Sequence, residues 1–198
     1  MADAPTFSGF DDALLPRAER ERSLARFAST RTGREKASRY WKIDLETIST
    51  ASRRIDADFG SVAIVSTSPR VIACDLATAA RDHAGLFRRA FRNAVEPHHK
   101  FAHLTAAFAH LGAFVYVPAD CSVDEPISIT YTVGADEAIF PHTVVLLERG
   151  ARATIIERYV AGMQSFIAGV AEAITGEGSS LTYAAVQDVP ADSTVLST

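Results

Sequence analysis

The sequence predicts a mixed fold, helical up to about residue 111 and built of β-strands from residue 112 onward. Three observations carry that division. Apolar residues recur at three- and four-residue steps in the first part and at every second residue in the second. Basic residues concentrate early: 17 of the 20 Lys and Arg lie in residues 1–100, which carry a net +4, whereas residues 101–198 carry −8. Glycine shifts the other way, with seven of the 11 falling after residue 111, where turns between strands need them. Two regions follow, a helical N-terminal region over 1–111 and a β core over 112–198. The arginine-rich helices are expected to carry their charges on solvated outer faces.

The first helix is expected within residues 11–29, DDALLPRAERERSLARFAS, rich in Ala, Leu, Arg and Glu, with Asp11 and Asp12 placed to complement its N-terminus. Pro16 belongs in its first turn or marks a break. A second helical stretch is expected over REKASRYWKIDLETI (34–48). A short β-like segment, SVAIVS, precedes a Ser-Pro turn at 68–69 and the VIAC segment. Asp75 is a plausible N-cap for a helix whose Leu76, Ala79, Ala80, Phe87, Ala90 and Phe91 fit a 3.6-residue period, with Arg81, Arg88, Arg89 and Arg92 opposite. After Pro97 a last helix carries Phe101, Leu104, Phe108 and Leu111, with Gly112 standing where a helix-terminating glycine belongs.

Beyond Gly112 the pattern is β. In PISITYTV the apolar Ile127, Ile129, Tyr131 and Val133 alternate with Ser128, Thr130 and Thr132, which predicts a strand buried on one face. The apolar run Val144–Leu147 predicts burial on both faces. Further strands are expected at AFVYV, ARATIIERY, SFIAGVAEAIT and SLTYAAVQ. Turn signals fall at Pro118–Asp120, Gly134–Asp136, Arg149-Gly150 and Gly176–Gly178. No long helix separates these strands, which excludes βαβ winding and leaves a sandwich, a cupin-like jelly roll or a β-helix.

The composition, 47% apolar and 22% charged over 198 residues, is that of an ordinary globular protein. A net charge of −4 argues against a broad nucleic-acid surface, and no apolar run reaches the roughly 20 residues of a membrane span. The N-terminus lacks a basic-then-apolar signal layout, and two cysteines make no disulfide scaffold, so a cytoplasmic location is expected.

Motifs for chemistry are sparse. His98, His99 and His103 cluster around the last helix, and His99/His103 have the i,i+4 spacing of a metal pair. Lys100 stands where a zinc protease would carry Glu, so solvent-facing histidines are the default reading. Cys121 follows a strand in a turn and reads as an exposed thiol; Cys74, in VIAC, reads as a small core residue. His142 with Glu148 and Glu157 has the composition of a His/carboxylate site, but both glutamates flank the Gly150 turn, where charges point into water. There is no phosphate loop and no nucleophile elbow. No catalytic, cofactor-binding or metal residue is assigned.

Four stretches, in order, resemble the SufB/SufD family of iron–sulfur cluster assembly proteins, and SufD more than SufB. RYWKIDLETI (39–48) is similar to a SufD tryptophan–lysine element, with Ile43 and Asp44 in place of Tyr and Thr. KFAHLTAAFAHLGAFVYVP (100–118) resembles the family's helix that leads through Ala and Phe into a valine–proline strand. PISITYTV, followed by FPHTVVLLERGARATIIERYVAG (140–162), resembles its paired strands around a Gly-Ala turn. SLTYAAVQDV (180–189) resembles the next tyrosine–glutamine strand.

The resemblance implies a helical region leading into the first rungs of a flattened right-handed β-helix, with VVLLE and ATIIER on opposite walls. From the residues alone, a jelly-roll or cupin-like sandwich remains the alternative. The implied function is a SufD-like scaffold or accessory role in iron–sulfur cluster assembly, not stand-alone catalysis, in a complex with SufB-like and SufC-like (ATPase) partners. The family's key Cys and His and its SufC-docking helices lie later in its length, so none is carried onto these residues. No cofactor is expected on this chain alone, and an iron–sulfur cluster only transiently within a complex. The other class of function is a small β-fold binding protein or lyase-type enzyme, which would need converging histidines and carboxylates. The tail DVPADSTVLST is expected to be a loose plug. The last rung is then expected to pair with another chain, either a second copy or a SufB-like partner.

Overall fold

In the computed structural model, residues 7, 9–12, 14–30, 54–93 and 100–197 are described. The expected helix over 34–48, the RYWKIDLETI element, Pro97, His98 and His99 lie outside them. Helices come first and a β-solenoid of about three turns follows, so the β-helix expectation is met and the jelly roll is not.

The solenoid is built on a 28-residue repeat. One wall stacks β4 (Gly112–Val117), β7 (His142–Leu147) and β9 (Phe166–Thr175); the facing wall stacks β5 (Ile127–Val133), β8 (Arg152–Ala161) and β10 (Ser180–Asp188). Both stacks are parallel. Short β6 (Glu137–Ile139) runs into β7 across Phe140-Pro141, and β9 spans both, pairing at the same 28-residue offset throughout. Ile127 lies on Ile155 and Tyr183, and Tyr131 on Tyr159 and Gln187. The first coil is longer: β4 pairs β7 at an offset of 30, as does the bridge Ser122–Arg152, so two extra residues are taken up between Ser122 and Ile127.

The corners repeat with the coils. Asp120, Gly150 and Gly178 all adopt left-handed backbone (φ 54°, 68° and 67°) at one corner, and Asp136 and Gln164 (59° and 56°) at another. Backbone bonds continue the ladder through these bends, with Asp120 N–H on Arg149 C=O, Gly150 N–H on Glu177 C=O and Asp136 N–H on Met163 C=O. The turn thus leaves few backbone groups unpaired. The tail expected as a loose plug instead forms β11 (Thr194–Ser197), which stacks on the start of β9.

The start of the solenoid is closed by antiparallel strands. β2 (Ser61–Val65) pairs β5, β3 (Ile72–Asp75) pairs β4, and β1 (Arg54–Ile55) joins β6 in parallel. Phe59, Val62, Ile64 and Val71 cover the apolar interior there. The expected alternation in β5 is present: Ile129 and Tyr131 are fully buried inside, whereas Thr130 and Thr132 face out. β7 is buried on both faces, as its continuous apolar run predicted.

The second burial comes from the described helices, which lie on the β4/β7/β9 wall. α2 (Leu76–Asp82) and α3 (Ala84–Ala90) pack Leu76, Phe87 and Ala90 on Phe114, Val144 and Leu146. α4 (Lys100–Phe108) packs Phe101, Leu104 and Phe108 on Phe140 and Phe166. Asp75 caps α2 as expected, its carboxylate accepting from Thr78 N–H at 2.8 Å. The single helix expected from Leu76 to Phe91 breaks at His83, whose backbone is not helical. Gly112 is no helix terminator: it opens β4, where a side chain would collide with the His142 carbonyl and Leu76.

α1 (Arg17–Ser29) begins only after Pro16, which stands just outside it, so Asp11 and Asp12 precede the helix. The reading of its arginines as solvated fails at Arg20, which is fully buried. Its guanidinium donates to the carbonyls of Leu15, Ala107, Ala109 and Asp11 and lies over the Phe10 ring. The Ala107 and Ala109 carbonyls lie at the α4 terminus, where no backbone donor follows, so a side chain from α1 caps α4.

Candidate functional site

The alternation that turns Ile155 inward also turns Glu157 and Tyr159 inward, placing a carboxylate inside the solenoid. Glu157 is 2% exposed, which corrects its reading as a solvated turn residue. Tyr159 donates to Glu157 Oε1; Thr143 Oγ1 and Tyr183 OH donate to Oε2, the latter at 2.6 Å. Thr143 has a single proton and gives it to Glu157, so the Tyr131 hydroxyl, 2.8 Å away, must donate to Thr143. Tyr131 and Tyr159 stack with ring centroids 5.7 Å apart, a direct result of their pairing in register. Gly169 keeps the facing strand clear, because a Cβ there would lie 2.7 Å from the Tyr159 hydroxyl.

Burial and the neighbouring Glu157 charge hold the Tyr131, Tyr159 and Tyr183 hydroxyls protonated well above their ordinary range. The cluster is a closed set of donors around one acceptor. It activates no nucleophile; it fixes the coils against one another.

A second buried pair sits on the other face of the helix-covered wall. His142 Nε2 lies 2.8 Å from Glu172 Oε1, both almost inaccessible. The carboxylate also accepts the Arg92 backbone N–H, presented by a left-handed turn (φ 59°) just after α3, and the Phe91 ring lies 4.9 Å from the imidazole. The partner of His142 is thus Glu172, not the Glu148 or Glu157 considered from sequence. Glu148 bonds Arg89 at the surface instead.

The remaining candidates do not converge. Cys121 is buried at 2% in the solenoid interior, correcting its reading as an exposed thiol. Cys74 is half-buried on β3, and burial, with Asp75 and Asp82 behind it, pushes its thiol up to about 11. His103 is buried on α4 rather than facing solvent. Among the described residues no three His, Cys, Asp or Glu side chains gather where one cation could bind. Glu172 was missed from sequence although it is the one charge within the apolar strand FIAGVAEAIT. The burial of Glu157 was missed because the alternation read in PISITYTV was not carried on into ATIIERY.

Residues 130–198, from within β5 through the two following coils, match the family described as SUF system FeS cluster assembly, SufBD core domain. The iron–sulfur cluster assembly protein SufD of Bacillus subtilis is 34% identical over 125 residues, 60% of this chain. Over these residues the chain is similar to the SufB/SufD family. SufBD family proteins of Staphylococcus epidermidis and Staphylococcus haemolyticus are 27% and 26% identical over 123 residues. The aligned part covers 29% of the B. subtilis protein and 26% of the staphylococcal ones, so the chain spans under a third of the length of these SufB/SufD relatives. No described helix is long and apolar enough to cross a membrane.

Proposed function

We propose that this chain acts as a SufD-like scaffold in iron–sulfur cluster assembly, working in a complex with SufB-like and SufC-like proteins rather than as a catalyst of its own. The observation that carries this reading is the coincidence of the SufBD core match with the repeated coils, behind a helical region laid on one wall. Among the described residues, the two buried carboxylates, Glu157 and Glu172, are both hydrogen-bonded within the fold, as a scaffold requires. A lyase or small-molecule site would need an accessible His–carboxylate pair, whereas His142–Glu172 is closed by α3 and Phe91. β10 stands last in its sheet, and strand addition at that edge, by a further coil or a partner's strand, is the contact the geometry offers.

Co-expression with the SufB-like and SufC-like proteins of the same genome, followed by affinity capture and size exclusion, tests the proposal. A stable complex is expected, with no cluster retained and no ATP hydrolysed by the isolated chain. Failure to co-purify with either protein, or stoichiometric iron and sulfide on the chain alone, overturns it.

A further inference from the structure

Next to the Phe91 ring that covers His142, α2 and α3 meet the turn before α1 along an open cleft of about 270 Å³, lined by Leu14, Ala80, Ala84, Phe87, Arg88 and Phe91. Five of these six are apolar residues, and the sixth is a cation. Arginines elsewhere on this face are neutralised: Arg81 bonds Asp82, Arg89 bonds Glu148 and Arg92 bonds Glu19. Arg88 is exposed, and among the described residues its guanidinium has no ion-pair or hydrogen-bond partner. Among the described residues, one unpaired guanidinium thus stands at the lip of a cleft lined largely by apolar side chains.

We propose that this cleft docks an acidic, amphipathic segment of a partner protein, which inserts one bulky apolar side chain between Leu14 and Phe87 and sets a carboxylate on Arg88. The cleft's volume suits one or two side chains rather than a whole helix face. An arginine fork binds a carboxylate through paired charge-assisted bonds, which a lysine or a neutral donor would not reproduce. Arg88 is the one charged residue of the lining, which restricts the match to a single carboxylate beside it. The inference concerns a surface apart from the β10 edge and stands whether or not the chain serves cluster assembly.

The probe is a fluorescein-labelled twelve-residue helical peptide carrying Phe and Leu four residues apart with a flanking Glu, beside its Glu-to-Gln counterpart. Anisotropy titration of the full chain should show the Glu peptide binding about ten-fold more tightly than the Gln peptide. Arg88→Gln should remove that difference while leaving the Gln peptide's affinity unchanged. Ala84→Trp, which fills the cleft, should abolish binding of both, and circular dichroism of each variant should match the parent. Equal binding of the two peptides, no binding up to about 500 μM, or an Arg88→Gln variant that discriminates as before would each overturn the proposal. So would a self-association of the chain that Arg88→Gln abolishes, which would make a second copy the occupant.

Discussion

Replacing Glu157 by Leu removes the acceptor on which three hydroxyls converge while nearly conserving volume. Thr143 and Tyr159 are buried at 1% and 2%, so neither reaches water; Tyr183 is half-buried and does. Turning the Thr143 proton toward Tyr131 only transfers the deficit, because Tyr131 then has no acceptor. Two buried hydroxyls are left unsatisfied, each costing about 1–3 kcal/mol, for a total of about 2–6 kcal/mol. Part of this is offset because a desolvated carboxylate no longer has to be buried. At a few degrees per kcal/mol for a chain of this size, thermal unfolding should fall by roughly 5–20 °C. Combining Glu157→Leu with Tyr131→Phe, Thr143→Val and Tyr159→Phe removes the orphaned donors as well and should recover most of the loss. The assay is urea and thermal unfolding followed by circular dichroism on all three proteins. A single variant within about 2 °C of the parent, or a fourfold variant no better than the single one, would refute the assignment of these groups as one interdependent network.

Three further outcomes are expected. Ile129→Asp buries an unpaired charge and should cost several kcal/mol, roughly ten times the effect of Thr130→Asp on the outer face; equal melting shifts would contradict the register of β5. Gly150→Ala should destabilise more than Gly178→Ala, since both need left-handed backbone but only at Gly150 does the added carbon meet Asp120, at 2.5 Å; the comparison is of unfolding midpoints. Cys74 should alkylate with iodoacetamide about a hundred-fold more slowly at pH 8 than an ordinary thiol, its rate still rising toward pH 11. With its folded value above the unfolded one, this thiol should also lower stability as pH rises from about 9 to about 11, because only the unfolded chain releases the proton there.

Much of the β core was legible because its signals are local. Strict alternation in PISITYTV, the apolar run Val144–Leu147 and the Gly/Asp turn signals each reflect one strand or corner, and each appears where expected. What escaped reading depends on pairing between distant segments. The 28-residue repeat is present in the sequence as Gly150 and Gly178, or Tyr131 and Tyr159, but neither pair shares enough neighbouring residues to stand out alone. The TVLS tail is short and follows Pro190, so its strand character comes from β9 supplying a ready ladder. Arg20 looked like any surface arginine, because its four acceptors are carbonyls, and two of them lie almost ninety residues away.

The division of charge between the halves acquires a physical meaning in the same way. Residues 1–100 are basic and the β core acidic, and several contacts between them join one to the other: Arg54 to Glu137, Arg89 to Glu148 and the Arg92 N–H to Glu172. The two surface pairs keep their guanidinium groups 65% and 54% exposed, so each is worth at most about 1 kcal/mol and weakens further in salt. They do not hold the helices down. That work falls to Phe87, Phe101, Leu104 and Phe108, each burying enough apolar surface for about 1.5–3 kcal/mol against the β4/β7/β9 wall. Apolar contact is tolerant of sliding, however, whereas a carboxylate that accepts one backbone N–H is not. Glu172 therefore fixes where α3 ends on the wall, and with it the cleft and Arg88 one turn earlier. High salt should leave the helices docked, since the buried Glu172 contact is screened little and the apolar packing not at all.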